Sequence, residues 1–328
     1  MRSAPEIVLT AGDPLGIGSE IVVKALTDPA VRAVCRPSAV GSREVLCAAA
    51  RMLGINDFSE KYGDNIIDVP LPAGSTRDVN ELRSLAGTVR AFAGQHAFDC
   101  IVRAHELCSS GKAKAVATAP VNKESLRAAG VPYIGHTEIF GALTGVKDPL
   151  TMFETDGLRI FFLTRHVSLR QACDLVTEDR IIDYLRRSAE ALRKTGVRAD
   201  EDHPIAVAGL NPHSGEHGLF GNEETEIIVP AVLKARGEGI PAAGPVSADS
   251  VFHLAHRGRF AAVLSLYHDQ GHIAAKTLDF ERTISITHGL PYLRTSVDHG
   301  TAFDIAWQGR AGAVSMSEAA ILAAKYAF

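Results

Sequence analysis

The sequence predicts an α/β protein, and three observations carry that prediction. Short apolar runs alternate with amphipathic stretches through all 328 residues. Polar turns rich in glycine, asparagine and histidine come directly after those runs. The composition, 46% hydrophobic and 22% charged, can bury a large core, and the length suits two domains.

Buried strands are expected at Ile7–Thr10, Ala115–Thr118, Arg159–Thr164, Ile205–Ala208 and Ala261–Leu266. Helical patterns cover Glu20–Leu26, Val79–Leu107 with breaks at its glycines, Leu169–Val176, Glu178–Lys194, Glu223–Arg236 and Ser317–Ala324. Asp57–Ser75 is the least periodic stretch and reads as a surface excursion. No fixed-period repeat or low-complexity tract interrupts the pattern. The turns GDPLGIG, APVNKE, TRHVSL, GLNPHSGE and YHDQGH all follow strand candidates. Ligands of open α/β sheets collect outside the carboxyl ends of strands, so these turns are expected to build an active site.

Bulk charge narrows the partners. A net charge of −4 provides no footprint for nucleic acid or an anionic membrane. No apolar run approaches the roughly 18 residues that span a bilayer, and no secretory leader pattern opens the chain, so a cytoplasmic protein is expected. Five scattered cysteines without a C-x-x-C pair read as reduced thiols, each a small buried apolar residue.

The stretch LTAGDPLGIGSE (residues 9–20) resembles a nucleotide loop but fails the test of spacing. Gly16 and Gly18 satisfy a G-x-G-x-x-G fingerprint, yet its third glycine is Ile21, and Lys24 falls too late for a Walker loop. Two readings stay open: amides around Gly16–Ser19 facing an anion or polar ligand, or a tight turn that needs positive φ.

Histidine is abundant, with 13 residues, and His166, His213 and His268 each sit just after an apolar run, with His272 close behind. Three imidazoles of this kind suit a divalent metal with positions left open for substrate, although spacing alone does not show that they converge. YIGHTEIF offers His136 and Thr137 at a helix start that could face an anion. Lys123, Lys276 and Arg294 are basic residues in apolar or glycine-rich surroundings, and Arg294 is the least like a solvated surface charge.

Taken together, GDPLGIGSE, APVNKE, GHTE, GLNPHSGE, YHDQGH and GLPYLRTSVDHGTA resemble the 4-hydroxythreonine-4-phosphate dehydrogenase family of pyridoxal phosphate biosynthesis, in order and over essentially the whole chain. The resemblance implies a two-domain, three-layer α/β/α fold of the isocitrate and isopropylmalate dehydrogenase type with a cleft between domains. One discontinuous domain, 1–120 plus 275–328, would carry the cofactor loops. The other, 121–274, would carry the metal ligands and a homodimer interface at which the active sites lie.

By the same resemblance the enzyme is an NAD-dependent dehydrogenase acting on a CH–OH group, with one divalent ion (zinc, magnesium, cobalt or manganese) held by His166, His213 and His268. Substrate contacts would be His136, Thr137, Lys276, Ser285 and Arg294. The cofactor would lie against His299, Gly300, Thr301 and Asp304, with Asp13, Gly16 and Gly18 lining its nicotinamide end. An acidic residue bonding the ribose favours NAD over NADP, and Asp304 is the candidate for that role. Lys276 and Asp249 are the candidate catalytic groups; Asp249 either sits near the metal or caps a helix.

The reaction implied is oxidation with decarboxylation of a 4-phosphorylated four-carbon 3-hydroxy acid. Ser285 and His288 depart from the family pattern, which has asparagine and an apolar residue there. A hydroxyl cannot reproduce the donor–acceptor pair of an amide. This favours 4-phospho-D-threonate or 4-phospho-D-erythronate, giving dihydroxyacetone phosphate, over 4-phosphooxy-L-threonine, giving 3-amino-2-oxopropyl phosphate. The competing readings are a cis-dihydrodiol carboxylate dehydrogenase of aromatic degradation, a phosphate acetyltransferase-like acyl transferase, and a non-catalytic sugar-phosphate-binding module.

Overall fold

The computed structural model describes residues 4–75 and 78–328. In chain order its strands are β1 (Glu6–Thr10), β2 (Arg36–Gly41), β3 (Ile66–Asp68), β4 (Ala115–Thr118), β5 (Leu150–Thr155), β6 (Leu158–Phe162), β7 (Ile205–Ala208), β8 (Ala242–Val246), β9 (Ala262–Ser265), β10 (Ile284–His288) and β11 (Leu293–Ser296). The chain forms two compact units: residues 1–149 with 284–328, and residues 150–283. The α/β class is as expected.

In the first unit the strand order is β3-β2-β1-β4-β11-β10. All neighbours are parallel except β10 and β11, which pair antiparallel. Central strand β1 is buried on both faces, which explains its unbroken apolar run Ile7-Val8-Leu9. One face packs Val8 and Val116 against Ile101 and Ala104 of helix Ala91–Ser109, Leu126 of helix Lys123–Ala128 and Phe140 of helix His136–Thr144.

In the second unit the order is β5-β6-β9-β7-β8, parallel except for the β5–β6 hairpin. Helix Glu178–Lys194 starts at Thr177, whose hydroxyl accepts from Arg180 N, and ends with Arg193 and Lys194 in its last turn. Its buried stripe includes Ile181, Leu185, Ser188 and Leu192.

The unit boundaries fall at 149/150 and 283/284, later than the expected 120/121 and 274/275. The cause is packing. Leu126, Ile139 and Phe140 complete the core of the first unit, while Ala275 packs with Phe153, Ile160 and Val263 of the second.

The expected Val79–Leu107 helix is two, Val79–Ser84 and Ala91–Ser109, separated by Gly87 at φ +72°. The expected Glu223–Arg236 helix opens with a π turn at Glu224–Ile228, and an α-helix, Val229–Gly237, follows with Pro230 in its first turn. YHDQGH is not a free turn: residues 268–272 begin helix His268–Leu278. Asp57–Ser75 contains strand β3. Among the cysteines, Cys35, Cys100 and Cys108 are buried as expected, Cys47 is half-buried, and Cys173 is exposed. Among the described residues, no helix is long and apolar enough to cross a membrane.

Candidate active site

Antiparallel pairing of β10 with β11 places Thr287 opposite Arg294 and Ser285 opposite Ser296. Parallel pairing of β11 with β4 adds Thr118 beside Ser296. Directly paired residues share a sheet face, so Ser285, Thr287, Arg294 and Thr118 point one way. Arg294 is 4% exposed. Its Nη1 donates to Thr287 Oγ1 at 3.0 Å, its Nη2 to Thr118 Oγ1 at 3.0 Å, and its Nε is buried without a partner. No carboxylate pairs with this guanidinium among the described residues; its Cζ lies 5.5 Å from the Phe140 ring centroid. Burial pulls its pKa down to about 9, which leaves it cationic at neutral pH.

His136 opens helix His136–Thr144 after Gly135, and no side chain caps that end. Thr137 follows it, half-buried. The His136 Nε2 is sealed from solvent without a partner. Burial, reinforced by the Arg294 cation, holds this imidazole well below its usual range, so it is neutral. A buried cation that no carboxylate touches, with Glu138 acting on it only through space, a neutral imidazole and an uncapped helix start together suit an anionic group. Thr118 and Thr287, which brace the guanidinium, carry no motif that would have marked them in the sequence.

The opening loop lies in the same unit. Gly16 is needed because a Cβ there would come within 2.9 Å of Thr301, and Ile17 N donates to Thr301 O at 3.1 Å. At Gly18 a Cβ would meet Ala11 O at 2.0 Å. These glycines therefore serve close backbone approach, and they join the opening loop to the 299–304 segment. Asp13 is fully buried; its Oδ1 accepts from Leu15 N at 2.9 Å, its Oδ2 has no partner, and burial raises its pKa to about 6. On the outer side of the segment His299 is half-buried, while Gly300 and Asp304 are exposed.

The histidine turns belong to the second unit. His166 follows β6 and is exposed; His268 starts helix His268–Leu278, with its ring 6.2 Å from that of His166. His268 Nδ1 lies 2.6 Å from Asp269 Oδ1, leaving Nε2 for a ligand, and His272 stacks behind it at 3.6 Å. His213 lies in a run of five left-handed residues, 213–217, with φ between 43° and 80°. Non-glycine residues there are strained, and such strain collects at functional sites.

The strained turn is held from behind. Glu224, 1% exposed, accepts from Leu210 N and Asn211 N, both at 2.7 Å, and from Asn211 Nδ2 at 2.9 Å. Gln270 accepts from Leu266 N and donates to Gly209 O, linking the ends of β9 and β7. Neither residue was a candidate from sequence, because a buried brace has no motif of its own.

Three imidazoles at strand ends have the donor chemistry of a divalent-metal site, and the rings of His166 and His268 are close enough to turn onto one ion. Among the described residues of this single chain, however, no three such donors converge into a ligand shell. Lys276 lies two turns along the His268 helix, with its ammonium 5.4 Å from the Phe280 ring centroid. Asp249 is exposed in the first turn of helix Ala248–His256, where it offers negative charge to the helix N-terminus.

Comparison with known proteins identifies the family. The family model "Pyridoxal phosphate biosynthetic protein PdxA" matches residues 33–323. A Clostridium botulinum protein provisionally named D-threonate 4-phosphate dehydrogenase is 54% identical over 332 residues, covering 99% of this chain and 98% of its own. The structure of a 4-hydroxythreonine-4-phosphate dehydrogenase from Klebsiella pneumoniae matches with a TM-score of 0.83 at 39% identity, covering 99% of both chains. A terephthalate 1,2-cis-dihydrodiol dehydrogenase from Burkholderia xenovorans matches less well, with a TM-score of 0.65 at 27% identity over 98% of both. The chain belongs to the PdxA family of dehydrogenases.

Proposed function

We propose that this enzyme oxidises and decarboxylates a 4-phosphorylated four-carbon 3-hydroxy acid with NAD, and that the acid is of the D-threonate 4-phosphate kind. The observation that carries the reading is Arg294: a buried guanidinium without a carboxylate partner, next to the neutral His136. Such a cation calls for an anionic ligand group, which a phosphorylated acid provides and a plain cis-dihydrodiol carboxylate provides less fully. The names of the 54% identical relatives support the threonate acid over the amino acid, as does Ser285, a hydroxyl on the recess face.

In this reading Arg294, braced by Thr118 and Thr287, holds the phosphate with two parallel donors. His136 adds an N–H, and Thr137 adds its hydroxyl at the helix start. Lys276 would hold the proton of the C3 hydroxyl, and NAD, when bound, would supply the acceptor for the C3 hydride, so that C3 becomes a ketone. The adjacent carboxylate then leaves as CO₂, and a proton returns to C2. His166, His213 and His268 would hold a divalent ion, which when bound polarises the substrate oxygens. NAD would lie against Asp13, Gly16, Gly18 and the 299–304 segment, with Asp304 at the ribose.

We further read the working form as a homodimer. Val167, Leu169, Leu219, Phe220 and Ile273, on the elements that carry the three histidines, are 41–72% exposed. Apolar side chains gathered there suit coverage by a second copy, which would also complete the ligand set. NAD reduction should be followed with 4-phosphorylated C4 acids and with terephthalate cis-dihydrodiol, each with and without EDTA. EDTA-sensitive reduction with D-threonate 4-phosphate is expected; reduction only with the dihydrodiol would overturn the reading.

A further inference from the structure

The segment that follows Thr301 has little regular structure, yet its shape is closely determined from the far end of the chain. Helix Gly18–Thr27 begins just after the glycine loop and presents Glu20 and Lys24, one turn apart, to residues 307–311. Glu20 is fully buried, and its two carboxylate oxygens are divided: Oε1 accepts from Trp307 N at 2.5 Å, Oε2 from Gly309 N at 2.9 Å. Lys24 Nζ donates to Ala311 O at 2.6 Å and Gly309 O at 3.3 Å. Trp307 answers from the other side, its indole Nε1 donating to Pro14 O at 2.9 Å within the glycine loop.

Two of the segment's residues, Ala302 at φ 43° and Trp307 at φ 60°, take the left-handed conformation without being glycine. That conformation persists only where surroundings over-determine it. At Trp307 a carboxylate that accepts two backbone N–H groups at once, next to a lysine that grips the carbonyls of Gly309 and Ala311, does so. The proposed ligand side of the same segment, Gly300 and Asp304, is left exposed. The clamp and the ligand side are thus separate parts of one loop.

We propose that Glu20, assisted by Lys24, is a positioning residue that sets the 299–311 loop in the shape that receives the nicotinamide cofactor. This rests on the reading above that NAD binds along this loop. Neither residue touches the cofactor or the reacting atoms; their effect passes through the main chain of residues 307–311. The function of the clamp is to fix the loop before the cofactor arrives, so its removal weakens cofactor binding more than substrate binding.

The chain has one tryptophan, Trp307, so emission excited selectively in the indole band, away from its six tyrosines, reports on this loop alone. The experiment titrates wild type, Glu20→Gln and Lys24→Met with NAD, following Trp307 emission, and measures KM for NAD and for the phosphorylated acid separately. Glu20→Gln keeps the size of the side chain but loses one of two acceptors and the charge. It is expected to shift Trp307 emission to the red and to raise the Kd for NAD roughly tenfold, the loss of a charged hydrogen bond, with the KM for the acid within about twofold. Lys24→Met, at a half-buried position, is expected to move the same two quantities in the same direction by less. If either folded variant binds NAD as wild type does, or loses NAD and acid binding in equal measure, the positioning role is overturned. If wild type itself gives no saturable NAD response, the placing of NAD on this loop fails, and the clamp's role with it.

Discussion

Arg294 is buried, braced by two threonine hydroxyls, and poised beside a neutral imidazole, whereas His166 and His213 stand in solvent on turns shaped by their backbone. The first region is complete before any ligand arrives, because side chains of three strands and one helix converge on it. In the second, the chain supplies donors at three strand ends, and among the described residues no shell closes around them. The difference shows two ways of preparing for charge. A buried cation stores an unmet demand for an anion. Exposed imidazoles meet water at little cost and gain their order from whatever binds.

The sharpest way to break this comparison is at Arg294. Arg294→Ala should lower kcat/KM for the phosphorylated acid by about a thousandfold, the scale for deleting one partner of a buried charge pair. Its metal content, measured by mass spectrometry, should stay at the wild-type level. Arg294→Lys should recover only part of the loss, since one ammonium cannot occupy both donor directions. Next is His268→Ala, which should lose bound metal and at least about a hundredfold in NADH production while still binding the acid. Full turnover by a metal-free His268→Ala would remove the three-histidine reading.

Asp13 provides a pH test of the buried region. Its folded pKa of about 6 lies above the ordinary 3.8, so its contribution to stability is fully present below that lower value and is lost as pH rises through about 6. The loss is at most about 3 kcal/mol. Asp13→Asn, which can still accept from Leu15 N, should gain stability over wild type as pH rises from 4 to 7 and no further above that. A constant difference across that range, in denaturant titrations, would show that the carboxyl does not titrate as described. The smallest effect concerns the brace of the histidine turn. Glu224→Gln should cost about 1–3 kcal/mol of stability, because Leu210 N and Asn211 N lose a charged acceptor. It should also weaken zinc binding about tenfold, measured by competition with a chelator.

Much of this was legible in the residue pattern. β1, β4 and β7 stand out as apolar runs because parallel strands covered on both faces need them. β10 and β11, ISITH and LRTS, do not stand out as strands: Ile284–Thr287 does alternate, but both runs are short, lie among turn residues and bury their polar side chains as well as their apolar ones. Arg294 and His136 were visible because glycine-rich surroundings set them apart. Thr118 and Glu224 were not, since their role is defined by partners up to 176 residues away. The glycines of GDPLGIG fail the Rossmann spacing in the sequence; what the fold adds is the close approach of Gly16 to Thr301 and of Gly18 to Ala11.

The central difference between the two regions can be measured in one titration: the acid binding to metal-stripped protein, followed by calorimetry and then by NADH formation after zinc is restored. A recess that is complete without metal should bind D-threonate 4-phosphate within about tenfold of the metal-loaded Kd. It should give no NADH until zinc returns. Loss of binding on stripping, or NADH production by the stripped protein, would contradict it.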